Sequence, residues 1–144
     1  MDQREDITVD KLRGGYYTPI AVADFIIKWG MEINPSHILE PSCGDGVFIE
    51  ALFRHSKVNP SNFFECDLQS VELIEEERNK SNEILIELVK SSKATGECHN
   101  SEFFQFTQQK YHSKSPFVFP DLIIGNPPYI RYQYFEYGRG FAEK

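Results

Sequence analysis

Two clusters in this chain of 144 residues combine side-chain types and spacings that chemistry can use. The first is the turn Glu40-Pro41-Ser42-Cys43-Gly44-Asp45-Gly46, set between a short apolar strand at Ile38-Leu39 and a helical-looking run over residues 47–55. Gly44 and Gly46 let a backbone approach a ligand closely, although a strand-to-helix turn also uses glycine for steric reasons alone. Glu65, at the end of a second strand expected over residues 62–67, is placed to accept hydrogen bonds from both hydroxyls of a ribose. The turn lacks the Gly-Lys-Ser/Thr of a phosphate loop, and no Lys or Arg lies between Pro41 and Leu52. An adenosine without phosphates suits it better than a nucleoside triphosphate. The second cluster is Asn126-Pro127-Pro128-Tyr129, directly after the buried-type strand Asp121-Leu122-Ile123-Ile124-Gly125. Two successive prolines stiffen the backbone and offer no N–H donors, so the segment is a wall of acceptors. The Asn126 side-chain oxygen and the Pro127 carbonyl can both accept from one exocyclic amine, while Tyr129 offers a flat face to a planar ring.

The elements that must carry these clusters alternate between strand and helix. Gly14-Gly15-Tyr16-Tyr17 leads into Thr18-Pro19, where Thr18 is expected to cap a helix and Pro19 to occupy its first position. Ile20, Ala23, Ile26 and Ile27 form that helix's apolar stripe, with Gly30 near its end. A weak third strand is expected around Glu97 to His99, running into Glu102-Phe103-Phe104. Such alternation calls for an α/β fold on a mostly parallel sheet, with ligands gathered at the carboxyl ends of the strands. Residues 1–13 lack periodicity and read as a flexible arm, and no linker divides residues 14–144.

Composition narrows the function classes. Hydrophobic residues make up 40% and charged residues 26%, which is globular rather than disordered. The charged amino terminus and the lack of any long apolar run lead to the expectation of a cytoplasmic protein with no membrane partner. Cys43, Cys66 and Cys98 make no Cys-x-x-Cys, and the four histidines add no ligand spacing, so no metal site is expected. Nothing cationic flanks Cys43 to activate its thiol, and it reads as a small residue in a tight turn. The net charge of −7 argues against nucleic acid at first sight. Residues 65–87, however, hold eight acids against Arg78 and Lys80, so this one segment carries nearly the whole excess. It reads as one or two amphipathic helices with a solvated acidic face.

Taken together, Gly15-Tyr16-Tyr17-Thr18-Pro19, Leu39 to Gly46, Glu65, Glu102-Phe103-Phe104 and Ile124 to Tyr129 resemble the successive motifs of gamma-class adenine-N6 DNA methyltransferases. The extension Ile130-Arg131-Tyr132-Gln133 is similar to enzymes of type I and type IIG restriction-modification systems. The resemblance implies a Rossmann-like sheet with helices on both faces, strand order 3-2-1-4 and S-adenosylmethionine as cofactor. By this resemblance, Tyr17 and Thr18 hold the cofactor's carboxylate, while Glu40 and the turn with Pro41, Cys43, Gly44 and Gly46 surround its amino and sulfonium end. Glu65 binds the ribose, Cys66 packs on the adenine, Phe103 closes the other side of that ring, and Glu102 stands where the family usually has Asp. Asn126, Pro127 and Tyr129 form the catalytic wall, to which the target adenine comes after leaving the duplex. Hydrogen bonds to Asn126 and the Pro127 carbonyl free the N6 lone pair for in-line attack on the methyl group.

The resemblance also implies that the chain stops after strand 4, before the rest of the sheet and any recognition domain. The 144 residues alone are then expected to bind cofactor but to transfer little methyl, and the edge of strand 4 is open to self-association. The tail aromatics Tyr132, Tyr134, Phe135, Tyr137 and Phe141, with Arg131 and Arg139, suit either a missing half or nucleic acid. Two other readings stand beside this one. A protein glutamine N5-methyltransferase also uses Asn-Pro-Pro-Tyr to hold a planar amide, and a non-catalytic module would bind cofactor for assembly alone.

Overall fold

The computed structural model describes residues 17–58, 65–112 and 118–128. The expected arm, Tyr129 and the aromatic tail lie outside the described residues. Thr18–Pro127 form one compact unit, and Met1–Tyr17 with Pro128–Lys144 form another. In the second unit the described residues, Tyr17 and Pro128, are both exposed.

Helix α1, Ile20–Gly30, starts from Pro19, whose φ of −59° and ψ of 136° lead the chain in from an extended approach. The Pro19 carbonyl accepts from the N–H groups of Val22 (2.9 Å) and Ala23 (3.1 Å). Pro19 is therefore the cap and not the first helical residue, and Thr18 stands one position outside, its hydroxyl not committed to capping. Ala23 and Ile27 are buried with Ile20 and Ile26 packed beside them, as the apolar spacing requires. A single 3-10 turn, Met31–Ile33, follows, and Asn34 in the left-handed region (φ 54°) ends it.

Strand β1 is His37–Glu40, α2 is Val47–Val58, β2 is Asp67–Glu72, α3 is Glu75–Ser91, β3 is Thr95–Asn100, α4 is Phe103–His112 and β4 is Leu122–Ile123. All pairings are parallel and the order is β3-β2-β1-β4, the order expected. Parallel strands bring their carboxyl ends to one edge, which gathers Glu40, Glu72, Asn100 and the segment after β4. Before β4, the Asp121 carboxylate accepts from the N–H groups of Ser36 (2.7 Å) and His37 (3.0 Å), fastening it to the start of β1. These bonds hold the Asp121 carboxyl below the usual range.

The main core lies on one face, where Ile38 and Leu68 meet Ile27 of α1, Ile49 and Leu52 of α2, and Leu85 and Leu88 of α3. On the other face Leu39 and Val71 pack with Phe103 and Phe106 of α4. The sheet thus has helices on both faces, and no described helix is long and apolar enough to cross a membrane.

Two boundaries differ from the sequence expectation. The second strand begins at Asp67 and ends at Glu72, and Val71, assigned by its spacing to a helix, is a buried strand residue. The acidic stretch is accordingly divided between strand β2 and a single helix, α3. The exposed side of α3 carries ion pairs from Lys80 to Glu77 (2.8 Å) and from Lys90 to Glu87 (3.1 Å). The alternation of Leu68, Ser70 and Glu72 toward the α1–α3 face with Gln69 and Val71 toward α4 is a strand period, hidden in the sequence by the mixed polarity of the inward set.

The two glycines of the turn do different work. A Cβ on Gly46, at φ +91°, would lie 2.9 Å from the Ser81 backbone of α3, whereas one on Gly44, at φ +54°, would have nothing within 4 Å. Gly44→Ala should cost about 1–2 kcal/mol from the left-handed backbone alone. Gly46→Ala adds a clash with backbone and should cost about 3 kcal/mol or more. Urea unfolding of the two variants should rank them in that order.

Candidate active site

The turn after β1 is held from three sides. Its Cys43 N–H donates to the Val71 carbonyl of β2 (3.0 Å), and its Gly44 carbonyl accepts from the Ser81 hydroxyl of α3 (2.5 Å). The third tie is the Glu72 carboxylate. One oxygen accepts from the Gly44 N–H (2.9 Å), and the other from the Ile74 N–H at the start of α3 (2.8 Å). Beneath the turn, the Cys43 and Cys98 sulfurs lie 3.6 Å apart, both buried. That contact with Cys98, together with burial, pushes the Cys43 thiol well above the ordinary thiol range, in keeping with a packing role.

Glu40 closes β1 as a 1% exposed residue, and neither of its carboxylate oxygens has a hydrogen-bond partner among the described residues. Burial, reinforced by nearby Cys98, Asp45 and Glu72, pushes its pKa up to about 8. A carboxyl kept in this state is an acceptor for a ligand's donor, above all for an ammonium group, which would restore its charge.

Gly125 brings the second cluster alongside, since a Cβ there would stand 3.7 Å from both Glu40 Cγ and Pro41 Cδ. The next residue, Asn126, donates its side-chain Nδ2 to the Thr18 hydroxyl oxygen at 3.1 Å. One N–H of the amide is thereby engaged, and in this orientation its oxygen remains an acceptor. Thr18, Glu40, Pro41, Cys43, Gly44, Asn126 and Pro127 thus come together at the carboxyl edge of the sheet. Gly46 is there too, but the space its missing side chain would fill belongs to Ser81 of α3, not to a ligand.

Glu65 and Cys66 require correction. Both precede β2, at the end of the sheet opposite the turn, because that strand starts only at Asp67. Glu65 is exposed, and Cys66 is buried in the main core, which pushes its thiol up to about 11. The acid that ends β2 is Glu72, followed by Leu73, whose side chain is exposed. The signal for it was present in the sequence: Glu75-Glu76-Glu77 is an acidic first helical turn, so the preceding strand must end just before it.

Glu102 and Phe103 lie at the end of β3 as expected, with structural duties. The Glu102 carboxylate caps α4 by accepting from the Gln105 N–H (3.0 Å), and its carbonyl accepts from the Phe106 N–H (2.9 Å). Phe103 packs onto the small cluster of Leu39, Val71 and Phe106. A cavity of about 420 Å³ opens beside them, lined in part by Leu73, Asn100, Ser101, Glu102 and Phe106. Its volume is of the size that small-molecule sites take.

The raised Glu40 pKa has a definite thermodynamic sign. Between pH 4.5 and about 8 the folded protein keeps a proton that the unfolded chain has lost. The contribution is full below 4.5 and is lost as pH rises through 8, at up to about 1.4 kcal/mol per pH unit. Glu40→Gln should flatten that dependence and leave the variant more stable than the wild type near the alkaline end, as read by urea unfolding across this range.

No protein-family model matches the chain. Over 118 residues, 81% of this chain and 24% of the relative, it is 30% identical to the type II methyltransferase M.CvrRI of Paramecium bursaria Chlorella virus XZ-6E. A solved structure, the modification subunit ascribed to a type I restriction enzyme from Vibrio vulnificus YJ016, superposes with a TM-score of 0.55 at 20% identity. That match covers 85% of this chain and 25% of the other. The chain thus spans about a quarter of the length of each of these proteins, and it has a methyltransferase-like α/β fold.

Proposed function

We propose that this chain carries the cofactor pocket and the first substrate wall of an S-adenosylmethionine-dependent adenine-N6 DNA methyltransferase, working within a restriction-modification system. The observation that carries the proposal is the pairing of a buried Glu40 carboxyl without a hydrogen-bond partner among the described residues and an Asn126 amide oxygen left as an acceptor, joined through Gly125. The similarity to a type II methyltransferase adds support. S-adenosylmethionine supplies an electrophilic methyl group on a sulfonium.

The residues present fit that cofactor. Glu40 accepts from its ammonium group, and the space above Gly44 leaves room against the turn. Glu72 takes the ribose role in place of Glu65, since each of its oxygens keeps a second lone pair beside the N–H it already accepts. Leu73, Asn100 and Ser101 border the cavity that would take the adenine. For the target base, the Asn126 amide oxygen and the Pro127 carbonyl accept from the exocyclic amine, orienting it and stabilising the positive charge that grows there. Of the acidic segment 65–87, Glu72 belongs to the cofactor turn, while Glu75, Glu76, Glu83 and Glu87 are exposed on α3.

Calorimetric titration with S-adenosylmethionine should show one site per chain, with affinity rising as pH approaches about 8, where Glu40 ionises. Glu72→Ala should weaken binding about tenfold or more, since hydrogen bonds to a charged acceptor contribute about 1.5–3 kcal/mol. Transfer of labelled methyl to duplex DNA, slow with these 144 residues alone, should yield N6-methyladenine and fall at least about a hundredfold further in Asn126→Ala, the scale seen when one preorganised group is removed. Failure to bind the cofactor, or a product on cytosine or on a protein glutamine, would overturn the assignment.

A further inference from the structure

Thr18 lies one residue outside α1, and a hydroxyl near a helix start ordinarily serves as its cap. Here the Pro19 carbonyl receives the first helical N–H groups, and no side-chain bond caps the helix. The Thr18 oxygen instead accepts from Nδ2 of Asn126, 108 positions away in sequence. An asparagine amide can turn by half a rotation about its last torsion and present either NH₂ or C=O to the same point in space. Only the carbonyl orientation can accept from a substrate amine. The prolines that follow supply no N–H with which to pin the amide from its own segment.

We propose that Thr18 is a positioning residue: with its own hydrogen given to an anionic group of the bound ligand, its oxygen can only accept from Asn126 Nδ2, which fixes the amide orientation and keeps Oδ1 turned to the incoming amine. The inference rests on the methyl-transfer reading for its use but on geometry alone for its existence. A hydroxyl both accepts and donates, so the Thr18 hydrogen is still available to an anionic group of a bound ligand. One side chain can therefore register the ligand on one side and aim the amide on the other. Valine has the shape of threonine and lacks this oxygen; serine keeps the oxygen and lacks the methyl.

The experiment uses the full 144-residue chain with ¹⁵N-labelled asparagine, the Asn126 side-chain amide being assigned by its disappearance in Asn126→Asp. In Thr18→Val the Asn126 amide protons should shift and exchange with water about tenfold faster or more, reflecting loss of a hydrogen bond of ordinary strength. Thr18→Ser should return exchange to within about threefold of the wild type. Single-turnover methyl transfer to an adenine-containing oligonucleotide at saturating S-adenosylmethionine should fall about 10–100-fold in Thr18→Val, the scale of a misoriented catalytic group. An unchanged Asn126 amide in Thr18→Val overturns the proposal, as does weakened cofactor binding with an unchanged transfer rate, which would make Thr18 a cofactor ligand only. If the wild-type chain transfers no methyl at all, the methyl-transfer reading fails for this chain, while the exchange measurement still decides the role of Thr18.

Discussion

The carboxylate of Glu72 ties two pieces of backbone that would otherwise be independent, the Gly44 N–H of the turn after β1 and the Ile74 N–H at the start of α3. Both donors sit where chains commonly leave N–H groups unsatisfied, one in a tight turn and one at a helix amino terminus. A charged acceptor strengthens both bonds, and a negative group just before α3 also complements the helix dipole. Much else follows from this clasp. It draws α3 close enough for Ser81 to bond the Gly44 carbonyl and to pack on Gly46. It also sets a second carboxyl near Glu40, adding to the burial that keeps Glu40 protonated.

Around this clasp the two faces of the sheet differ in what they hold. The face covered by α1, α2 and α3 contains the larger core together with the buried polar residues Glu40, Ser70, Glu72 and Ser81, all within reach of the carboxyl edge. The opposite face is closed by a few apolar contacts from α4. A buried carboxyl is tolerable in the first setting because it can remain neutral at physiological pH, avoiding the cost of an unpaired charge in an apolar surround. Its chemistry is thus stored as an acceptor and not as a fixed ion.

The fold was largely legible in the residues because its strongest signals are local: apolar strands ending in glycine or proline turns, and a helix stripe at Ile20, Ala23, Ile26 and Ile27. Strand order followed from the resemblance, and the observed order agrees with it. The acid at the end of β2 was misplaced for a physical reason. Phe63-Phe64-Glu65 has the aromatic run expected of a buried strand, whereas Leu68, Ser70 and Glu72 face the interior with mixed polarity that only the tertiary partners explain. The partners of Thr18 and of Gly46 were equally invisible, since one contact spans 108 positions and the other depends on how closely α3 approaches.

Strand β4 pairs with β1 at only two positions, Ile38 with Leu122 and Leu39 with Ile123, while β2 and β3 pair at six. Further anchors come from the Asp121 carboxylate, from the Asp121 N–H to the His37 carbonyl (2.8 Å), from the Ile124 N–H to the Leu39 carbonyl (3.0 Å) and from Asn126 to Thr18 (3.1 Å). Local stability follows the density of such bonds and of buried apolar contacts, and here Ile124 and Leu122 add the apolar part by packing on the main core. Asn126 and Pro127 consequently follow the shortest ladder among the described strands.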